Sequence, residues 1–326
     1  MAARKGLGER EIIATIRRLL GKIPKLELPF GDDVVAFRLE GNSVGVLKTD
    51  MLVAKTDVPP GMTVRQAARK ALVMCVSDFA AKGVKPLLSL VALGIPSKMT
   101  ESEVRALALG LREAARGYGF WIVGGDTNEA DDLVISPILY GISKRGQILP
   151  RGGAKPGDSV VVSGTFGNTK AGLKILLEGY EAPLNLKRHL LRAVYLPEAR
   201  LSLGLKLKDL GATAAIDSSD GLAWSLNELA LASGVGFEIQ KLPVADEAAT
   251  FAKLNQLDIF DLVFYGGEEY EIVATMPPNC LAEAEKELGG RIIKIGCVTR
   301  KKGLVFNDGE TRREIKARGW EHFRAS

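Results

Sequence analysis

The sequence predicts an α/β protein, in the broad sense that includes α+β folds, built from two domains. Short apolar segments alternate with longer segments of helical periodicity in both halves of the 326-residue chain, a pattern typical of sheets covered by helices. A stretch rich in Gly and Pro, residues 151–158, interrupts both periodicities. We therefore expect an N-terminal domain, residues 1–148, and a C-terminal domain, residues 149–326. A chain of this length with 46% hydrophobic residues can form two cores.

The N-terminal half contains two helices whose starts are clearly marked. Thr63 is the N-cap of a helix predicted to reach Lys82, where Gly83 provides a stop. The sequence Thr-Glu-Ser-Glu at 100–103 forms a capping box for a helix predicted to reach Arg116. The strands predicted around these helices are 44–53, 87–93, 120–123 and 133–142. Strand 120–123 is expected to end directly at Gly-Gly-Asp, residues 124–126.

The C-terminal half repeats the alternation of strands and helices. Pro197 is expected in the first turn of a helix, where its missing N–H costs nothing. An apolar run, residues 262–265, leads into Gly-Gly-Glu-Glu at 266–269. The remaining predicted elements are strands 159–163, 213–216, 270–275, 292–298 and 304–306, and helices 169–178, 222–232 and 279–288.

Composition excludes several classes of protein. No apolar run approaches the roughly 20 residues needed to cross a bilayer, and the first residues lack the apolar core of a signal peptide. We therefore expect a cytoplasmic protein with no membrane partner. Cys75, Cys280 and Cys297 are odd in number and lie in apolar stretches, so we predict three buried thiols without a disulfide or zinc site.

The basic balance of the chain does not predict a nucleic-acid partner. The formal net charge is +5, but Lys and Arg are interspersed with acids along the whole chain. Even the densest basic stretch, residues 300–318, is interrupted by Asp308, Glu310 and Glu314. Such mixing is typical of an ordinary solvated surface, and a modest positive bias also suits anionic substrates.

Acidic residues follow several apolar segments and predict a metal site. Asp217 and Asp220 lie three residues apart in a turn of small residues, and other acids close apolar runs at Asp32, Asp33, Asp50 and Asp126. No Lys or Arg partner is evident in these short motifs, so the carboxylates are expected to repel one another unless hard cations lie between them. The arrangement indicates magnesium-dependent phosphoryl transfer.

Asp78 is the most informative acid outside these turns. At helical spacing it shares an apolar face with Ala71, Met74 and Cys75. A buried carboxylate needs a cation, which we expect to be a metal ion, with a salt bridge to a distant Lys or Arg as the alternative. For Asp32, Asp33 and Asp50 the alternative is an ordinary acidic turn.

Other chemistries have little support in the sequence. Residues 164–172, Gly-Thr-Phe-Gly-Asn-Thr-Lys-Ala-Gly, fit either a phosphate cradle at a helix start or a structural turn, and they do not match the Walker pattern. The two histidines, His189 and His322, lie near no nucleophile motif. We therefore expect no catalytic residue that acts as a general base. A phosphate acceptor needs none, because it is already largely dianionic at neutral pH.

The motifs, taken together and in order, resemble the thiamine-monophosphate kinase family within the aminoimidazole ribonucleotide synthetase superfamily. The resemblance extends from Gly31 to Phe323. The motifs that carry it are Gly-Asp-Asp at 31–33, Thr-Asp at 49–50, Ser-Asp at 77–78, Gly-Gly-Asp-Thr at 124–127, Arg-Gly-Gly-Ala-Lys-Pro-Gly-Asp at 151–158, Ile-Asp-Ser-Ser-Asp-Gly at 216–221, Gly-Gly-Glu-Glu-Tyr-Glu at 266–271 and Gly-Trp-Glu-His-Phe at 319–323.

The resemblance implies ATP-dependent phosphorylation of thiamine phosphate to thiamine diphosphate, with several Mg²⁺ ions. It implies an N-terminal domain that closes a barrel with its twin across a homodimer, and a C-terminal α/β domain. The metal ligands that it implies are Asp33, Thr49, Asp50, Asp78, Asp126, Asp217 and Asp220. The ATP contacts that it implies are Gly125, Asp126, Arg151 and Ser219.

The thiamine end of the site is implied at Asp57, Glu268 and Trp320. An aromatic face attracts a cationic thiazolium ring, and a carboxylate can accept a hydrogen bond from the aminopyrimidine; packing at the C-terminus is the alternative for Trp320. Two residues depart from the pattern of many family members, which have Ser at Lys48 and His at Asp57. A main-chain oxygen would then be the sole metal contact available from Lys48.

Two further functions remain as alternatives. Another ATP-dependent synthetase of the superfamily is one, although selenophosphate synthetase needs a reactive Cys near its start and this chain has none before Cys75. The purine-pathway members act on ribonucleotides and lack the terminal Gly-Trp-Glu-His-Phe. The other alternative is a non-catalytic binder of nucleotides or nucleic acid.

Overall fold

The structure, a computed structural model, describes residues 7–320. Its helices are α1 (Glu9–Leu20), α2 (Ala54–Asp57), α3 (Val64–Ala81), α4 (Glu101–Tyr118), α5 (Asn168–Glu178), α6 (Leu184–Tyr195), α7 (Leu201–Asp209), α8 (Leu222–Ser233), α9 (Asp246–Asn255), α10 (Ile259–Phe264) and α11 (Pro278–Leu288). Its strands are β1 (Val35–Arg38), β2 (Ser43–Thr49), β3 (Leu52–Val53), β4 (Pro86–Ile95), β5 (Trp121–Glu129), β6 (Val134–Lys144), β7 (Ser159–Val162), β8 (Ala214–Asp217), β9 (Gly236–Ile239), β10 (Ile272–Met276), β11 (Ile293–Thr299), β12 (Gly303–Asn307) and β13 (Arg312–Glu314).

The first sheet is formed by the strands of the N-terminal half. Its order is β1-β2-β6-β4-β5, with β3 paired to β6, and β4 and β5 run parallel. One face is buried beneath α3 and α4, and Val91, Ile135 and Leu139 on that face have little or no exposure. The opposite face carries exposed apolar side chains and has no covering layer within the described residues.

The second sheet is formed by the strands of the C-terminal half. Its order is β13-β12-β9-β11-β7-β10-β8, and all of its pairings are antiparallel except β9 with β12. The inner strand β7 is buried at every position, as expected for a strand covered on both faces. The edge strand β8 ends at Asp217, so this sheet delivers one of the predicted acids directly to the junction of the two halves.

Helix α3 joins the two halves. The side chain of Thr63 accepts a hydrogen bond from the backbone N–H of Gln66, which confirms the predicted N-cap. Most of the helix is buried, because it packs on the first sheet and on α7 and β8 of the other half. The contact with α7 requires Gly204, since a Cβ there would lie 1.9 Å from the carbonyl oxygen of Ala80.

Several predicted element boundaries are wrong. The Gly-Gly-Asp sequence does not follow a strand but lies within β5, because parallel pairing with β4 continues to Glu129. The predicted strand 44–53 is broken at Asp50 and Met51, between β2 and β3. Pro197 lies in the connection between α6 and α7, and α6 was not predicted because its N-cap, Pro183, supplies no side-chain capping bond. The apolar run 262–265 belongs largely to α10.

Other expectations concern cysteines and membrane segments. Cys75, Cys280 and Cys297 are free thiols, as predicted, but only Cys75 is fully buried and the other two are partly exposed. None of the helices within residues 7–320 combines the length and the apolar composition that crossing a membrane requires. Residues 321–323 of the terminal motif, which include His322 and Phe323, lie outside the described residues.

Candidate active site

Three buried carboxylates converge where the two halves meet. Asp33 precedes β1, Asp78 lies on α3, and Asp217 ends β8. One oxygen atom from each lies within 4.8 Å of the others. The hydroxyl of Ser77 donates a hydrogen bond to Asp217 across the junction, at 2.8 Å. Residues far apart in the chain therefore form one acidic cluster, as the metal-site prediction requires.

Burial and mutual repulsion make two of these carboxylates reluctant to ionise. Burial raises the pKa of Asp217 to about 7, with a further contribution from the charge of Asp33. Burial also raises the pKa of Asp78 well above its ordinary value; it outweighs the opposing charge of Lys48, and the charges of Asp217 and Asp50 add to the rise. A cation bound among these oxygens would favour the ionised forms and relieve the repulsion.

Two cationic side chains neutralise the acids of the Gly-Asp-Asp turn. The fully buried Lys82 lies 2.7 Å from an oxygen of Asp32 and 2.7 Å from an oxygen of Asp33. The guanidinium of Arg151 also pairs with Asp33 and donates to the carbonyl oxygen of Gly31 at 2.9 Å. Burial alone would raise the pKa of Asp33, but Lys82 and Arg151 outweigh burial and hold that pKa below its usual value.

A third cation, Lys48, lies between Asp50 and Asp78. Its ammonium nitrogen is 2.8 Å from Asp78 and 3.2 Å from Asp50. The expectation that the acids at the ends of apolar runs have no Lys or Arg neighbour is therefore wrong for Asp32, Asp33 and Asp50. These partners are distant in the chain, except for Lys48 beside Asp50. For Asp78, the salt bridge considered as the alternative to a metal is present.

The residues nevertheless fit magnesium. The cluster offers only oxygen donors, which is the ligand type that Mg²⁺ prefers. Within residues 7–320, the buried Oδ2 of Asp50 and the buried Oγ of Ser218 have no hydrogen-bond partner, so each has capacity for a further contact. Thr49 donates its hydroxyl proton to the carbonyl of Pro137 at 3.0 Å and keeps its own oxygen lone pairs available.

Asp126 lies apart from the three-carboxylate cluster, on the first sheet. It pairs with Ala92 of β4, which pairs with Ser136 of β6, and the Ser136 hydroxyl donates to the carbonyl of Asp50 at 2.9 Å. Two strand spacings, about 10 Å, therefore separate Asp126 from Ser136 along one row. Next to Asp126 in β5, residue 125 must be a glycine, because a Cβ there would lie 1.9 Å from the carbonyl oxygen of Val91 in β4.

The acidic turn after β8 is held against the Gly-Gly-Glu-Glu segment. The backbone N–H of Glu268 donates to the carbonyl of Ser219 at 2.6 Å, and that of Trp320 donates to the carbonyl of Asp220 at 3.1 Å. Glu268 and Tyr270 both have positive φ, at 61° and 53°. Such conformations are costly for residues other than glycine and are concentrated at functional sites.

The three predicted thiamine contacts lie around this turn. The nearly fully buried Lys70 of α3 forms an ion pair with Glu268 and donates to the carbonyl of Asp57 at 2.9 Å. The carboxylate of Asp57 accepts a hydrogen bond from the N–H of Val53 at 2.7 Å. Trp320 is 58% exposed.

The glycine-rich turn before α5 is occupied by a side chain of the protein itself. The carboxylate of Glu269 accepts hydrogen bonds from the N–H groups of Gly167 at 2.7 Å and Thr169 at 3.2 Å, and from the Thr169 hydroxyl at 3.1 Å. Those N–H groups are the ones that a phosphate would need at the start of this helix. Of the two interpretations open from sequence, the structure favours a structural turn.

The spacing of Lys70 and Lys82 relative to Asp78 in the sequence indicates that these lysines are buried near it. Lys70 and Asp78 lie on α3 and Lys82 is its C-cap. Their spacings of eight and four residues place them on one side of the helix. The spacing that singled out Asp78 therefore also placed cations in its row. The strained backbone at Glu268 had no comparable signal.

Comparisons with known proteins identify the family to which the chain belongs. The AIR synthase related protein N-terminal domain matches residues 31–143, and the corresponding C-terminal domain matches residues 155–309. A thiamine-monophosphate kinase from Nitrosopumilus maritimus is 40% identical over 98% of this chain and 99% of its own length. One from Pyrococcus abyssi is 38% identical over 90% of each chain.

A solved structure of AaThiL complexed with AMPPCP and TMP has the same fold. The TM-score is 0.85 at 28% identity, and the match covers 99% of each chain. The two-domain architecture described above is thus that of the AIR synthase related proteins. The chain belongs to the thiamine-monophosphate kinase family of ATP-dependent kinases.

Proposed function

We propose that this protein transfers the γ-phosphoryl group of ATP to thiamine phosphate, giving thiamine diphosphate and ADP, with Mg²⁺ bound at the acidic junction. The observation that carries the proposal is the convergence of Asp33, Asp78 and Asp217 beside the strained Gly-Gly-Glu-Glu segment. The names of the relatives and the two ligands of the AaThiL complex support the same reaction.

The proposed magnesium ligands are the three carboxylates of the cluster together with Thr49, Asp50, Asp126 and Asp220. Bound Mg²⁺ would supply positive charge against the charge that develops on the transferring phosphoryl group. The side chains contribute by holding their oxygens in fixed positions: Ser77 orients Asp217, and Lys82 and Arg151 keep Asp33 ionised.

The nucleotide is proposed to contact Gly125, Asp126, Arg151 and Ser219. Arg151 remains 23% exposed while it pairs with Asp33, so part of its guanidinium can still meet a phosphate. An oxygen of thiamine phosphate would attack the γ-phosphorus, and the bond to the β-phosphate would break with its electron pair leaving on ADP. No protein base is needed, because the attacking phosphate is already largely deprotonated.

The thiamine moiety is proposed to bind between Trp320, Glu268 and Asp57. The exposed indole offers a face to the thiazolium ring, and Glu268 retains 29% exposure beside its partner Lys70. Asp57 stands where many family members have His. The carboxylate of Asp57 accepts a hydrogen bond from the N–H of Val53. We therefore propose that Asp57 shapes the pocket by fixing the backbone between residues 53 and 57.

We also propose a homodimer in which the first sheet closes a barrel with its twin. The sheet face opposite α3 and α4 exposes Leu88, Leu90, Trp121, Ile138 and Ile142. Contiguous apolar surface of this kind is typical of an interface. The edge strand β5 also has backbone groups free to pair with another chain within the described residues.

The domain boundary between residues 148 and 149 and a cytoplasmic location also remain proposals. Every strand of the first sheet ends by Lys144, and the second sheet begins at Ser159, which supports the boundary. The three free thiols are typical of a reducing compartment.

Product analysis tests the reaction. The purified chain is incubated with ATP, Mg²⁺ and a panel of acceptors, including thiamine phosphate, thiamine and aminoimidazole ribonucleotide precursors. We expect thiamine phosphate to gain phosphate, and only when Mg²⁺ is present. Phosphorylation of a different acceptor, or ATP binding without any product, would support one of the two alternative functions instead.

A further inference from the structure

Lys48 occupies the space between two of the proposed metal ligands. Its ammonium contacts one oxygen of Asp78, at 2.8 Å, and one oxygen of Asp50, at 3.2 Å. These are distances of charge-assisted hydrogen bonds. A divalent ion joining the same two oxygens would have to displace the ammonium or lie against it, at a strong electrostatic cost.

The fold directs Lys48 to this position. In β2 it pairs with the fully buried Leu139 of β6, so it is on the face of the sheet that packs against α3. Asp78 extends from α3 toward the same layer. The neighbouring Thr49 is on the opposite, exposed face, as expected from the alternation of side chains along a strand.

The surroundings hold the Lys48 side chain in place. Its side chain is only 20% exposed. The two carboxylates hold the ammonium at hydrogen-bonding distance, whereas Oδ2 of Asp50 has no hydrogen-bond partner among the described residues.

We propose that Lys48 is a tethered cation that takes the place of one divalent metal ion between Asp50 and Asp78. The inference rests on the proposed magnesium-dependent function. Asp50 then presents one oxygen to the lysine and the other to metal. The charge of Asp78 is balanced by the ammonium of Lys48, which extends from β2. The chain binds one divalent ion fewer than it would if residue 48 were uncharged.

The test is the number of Mn²⁺ ions bound per chain, measured from the electron paramagnetic resonance signal of free Mn²⁺ in titrations with and without AMPPCP. Lys48→Met removes the charge without adding a ligand atom, and we expect it to bind one more ion per chain than wild type. Lys48→Arg keeps the charge and should bind as many ions as wild type. Lys144→Met, which removes an exposed lysine of β6, controls for net charge.

The outcomes separate this inference from the proposed function. Equal, non-zero stoichiometry in wild type and Lys48→Met overturns the tethered cation but leaves the metal site intact. Absence of Mn²⁺ binding in every variant contradicts both. Metal-free Lys48→Met is expected to be less stable than wild type and to recover when Mn²⁺ is added, because the ion replaces the lost charge. Failure of Mn²⁺ to restore its fold overturns the inference.

Discussion

At the scale of single residues, the site is organised by the pairing of buried charges. Asp33 has two cationic partners, Asp78 has one, and Asp217 has a hydroxyl. The acids were predictable from the sequence, because turns after apolar runs mark Asp33 and Asp217, and helical spacing places Asp78 on an apolar face. Their lysine partners were harder to predict from the sequence. The contact between Asp32 and Lys82, for example, forms only when the first sheet packs on α3.

Lys82 is expected to be essential for stability. Lys82→Met would leave Asp32 and Asp33 short of a cation at a buried position and remove the donor to the carbonyl of Ala215. We expect the free energy of unfolding to fall by about 3–5 kcal/mol, the usual loss when one partner of a buried ion pair is removed. Urea unfolding without added metal measures the loss. Lys85→Met, at an exposed neighbouring position, should change it by less than about 0.5 kcal/mol.

Trp320 is expected to bind substrate without stabilising the fold. Trp320→Ala should raise the KM for thiamine phosphate by roughly tenfold or more, because a cation–π contact and apolar burial are lost. The KM for ATP should stay near its wild-type value, and Trp320→Phe should recover much of the loss. Steady-state kinetics with each substrate varied in turn decide the matter. An equal rise in both KM values would indicate a packing role.

At the scale of elements, the caps and the strand ends behave differently. The helix starts at Thr63 and Thr100 were predictable, because each capping threonine and the backbone N–H that it caps are only three residues apart in the sequence. The end of β5 was not predictable, because the chain passes through Gly124 and Gly125 without turning. Pairing with β4 decides where that strand ends, and this long-range contact leaves no local signal.

The N-terminus of α5 is expected to make stability pH-dependent through Glu269. Burial raises the pKa of Glu269 to about 7, from its ordinary value of 4.5. A raised acid pKa stabilises the folded state at low pH, and this contribution is lost as the pH rises from 4.5 through 7. The loss should be roughly 3 kcal/mol by pH 8.

Urea unfolding of wild type and Glu269→Gln at pH 5 and pH 8 measures this effect. The loss of stability between the two pH values should be smaller in Glu269→Gln, whose amide does not ionise. Glu285→Gln, at an exposed position of α11, should keep the wild-type dependence. If Glu269→Gln loses as much stability as wild type does, the carboxylate does not titrate in this range.

At the scale of the whole molecule, the proposed function depends on bringing two sheets together at α3. The two-domain division and the order of the motifs were readable from the sequence. The geometry that joins Asp78 to Asp217 depends on the packing of α3 against α7 and β8, which no local pattern encodes. The exposed apolar face of the first sheet suggests that a second copy completes the assembly.

The proposed homodimer is expected to depend on that face. Leu90→Lys places a charge on the exposed side of β4, where Leu90 is 45% exposed, and should convert the dimer to a monomer because the charge would be buried without a partner. Light scattering at micromolar concentration reads the mass directly. Val104→Lys, at an exposed position of α4 on the covered side of the sheet, should remain dimeric. A monomeric wild type would contradict the assembly.

The central claim is that the acidic junction carries out magnesium-dependent phosphoryl transfer to thiamine phosphate. The most direct measurement is thiamine diphosphate formation by wild type and Asp217→Asn, with ATP, saturating Mg²⁺ and matched folding controls. We predict that wild type forms thiamine diphosphate and ADP in equal amounts and that Asp217→Asn is slower by roughly 100-fold or more. The absence of thiamine diphosphate with wild type, or a folded Asp217→Asn with a wild-type rate, would contradict it.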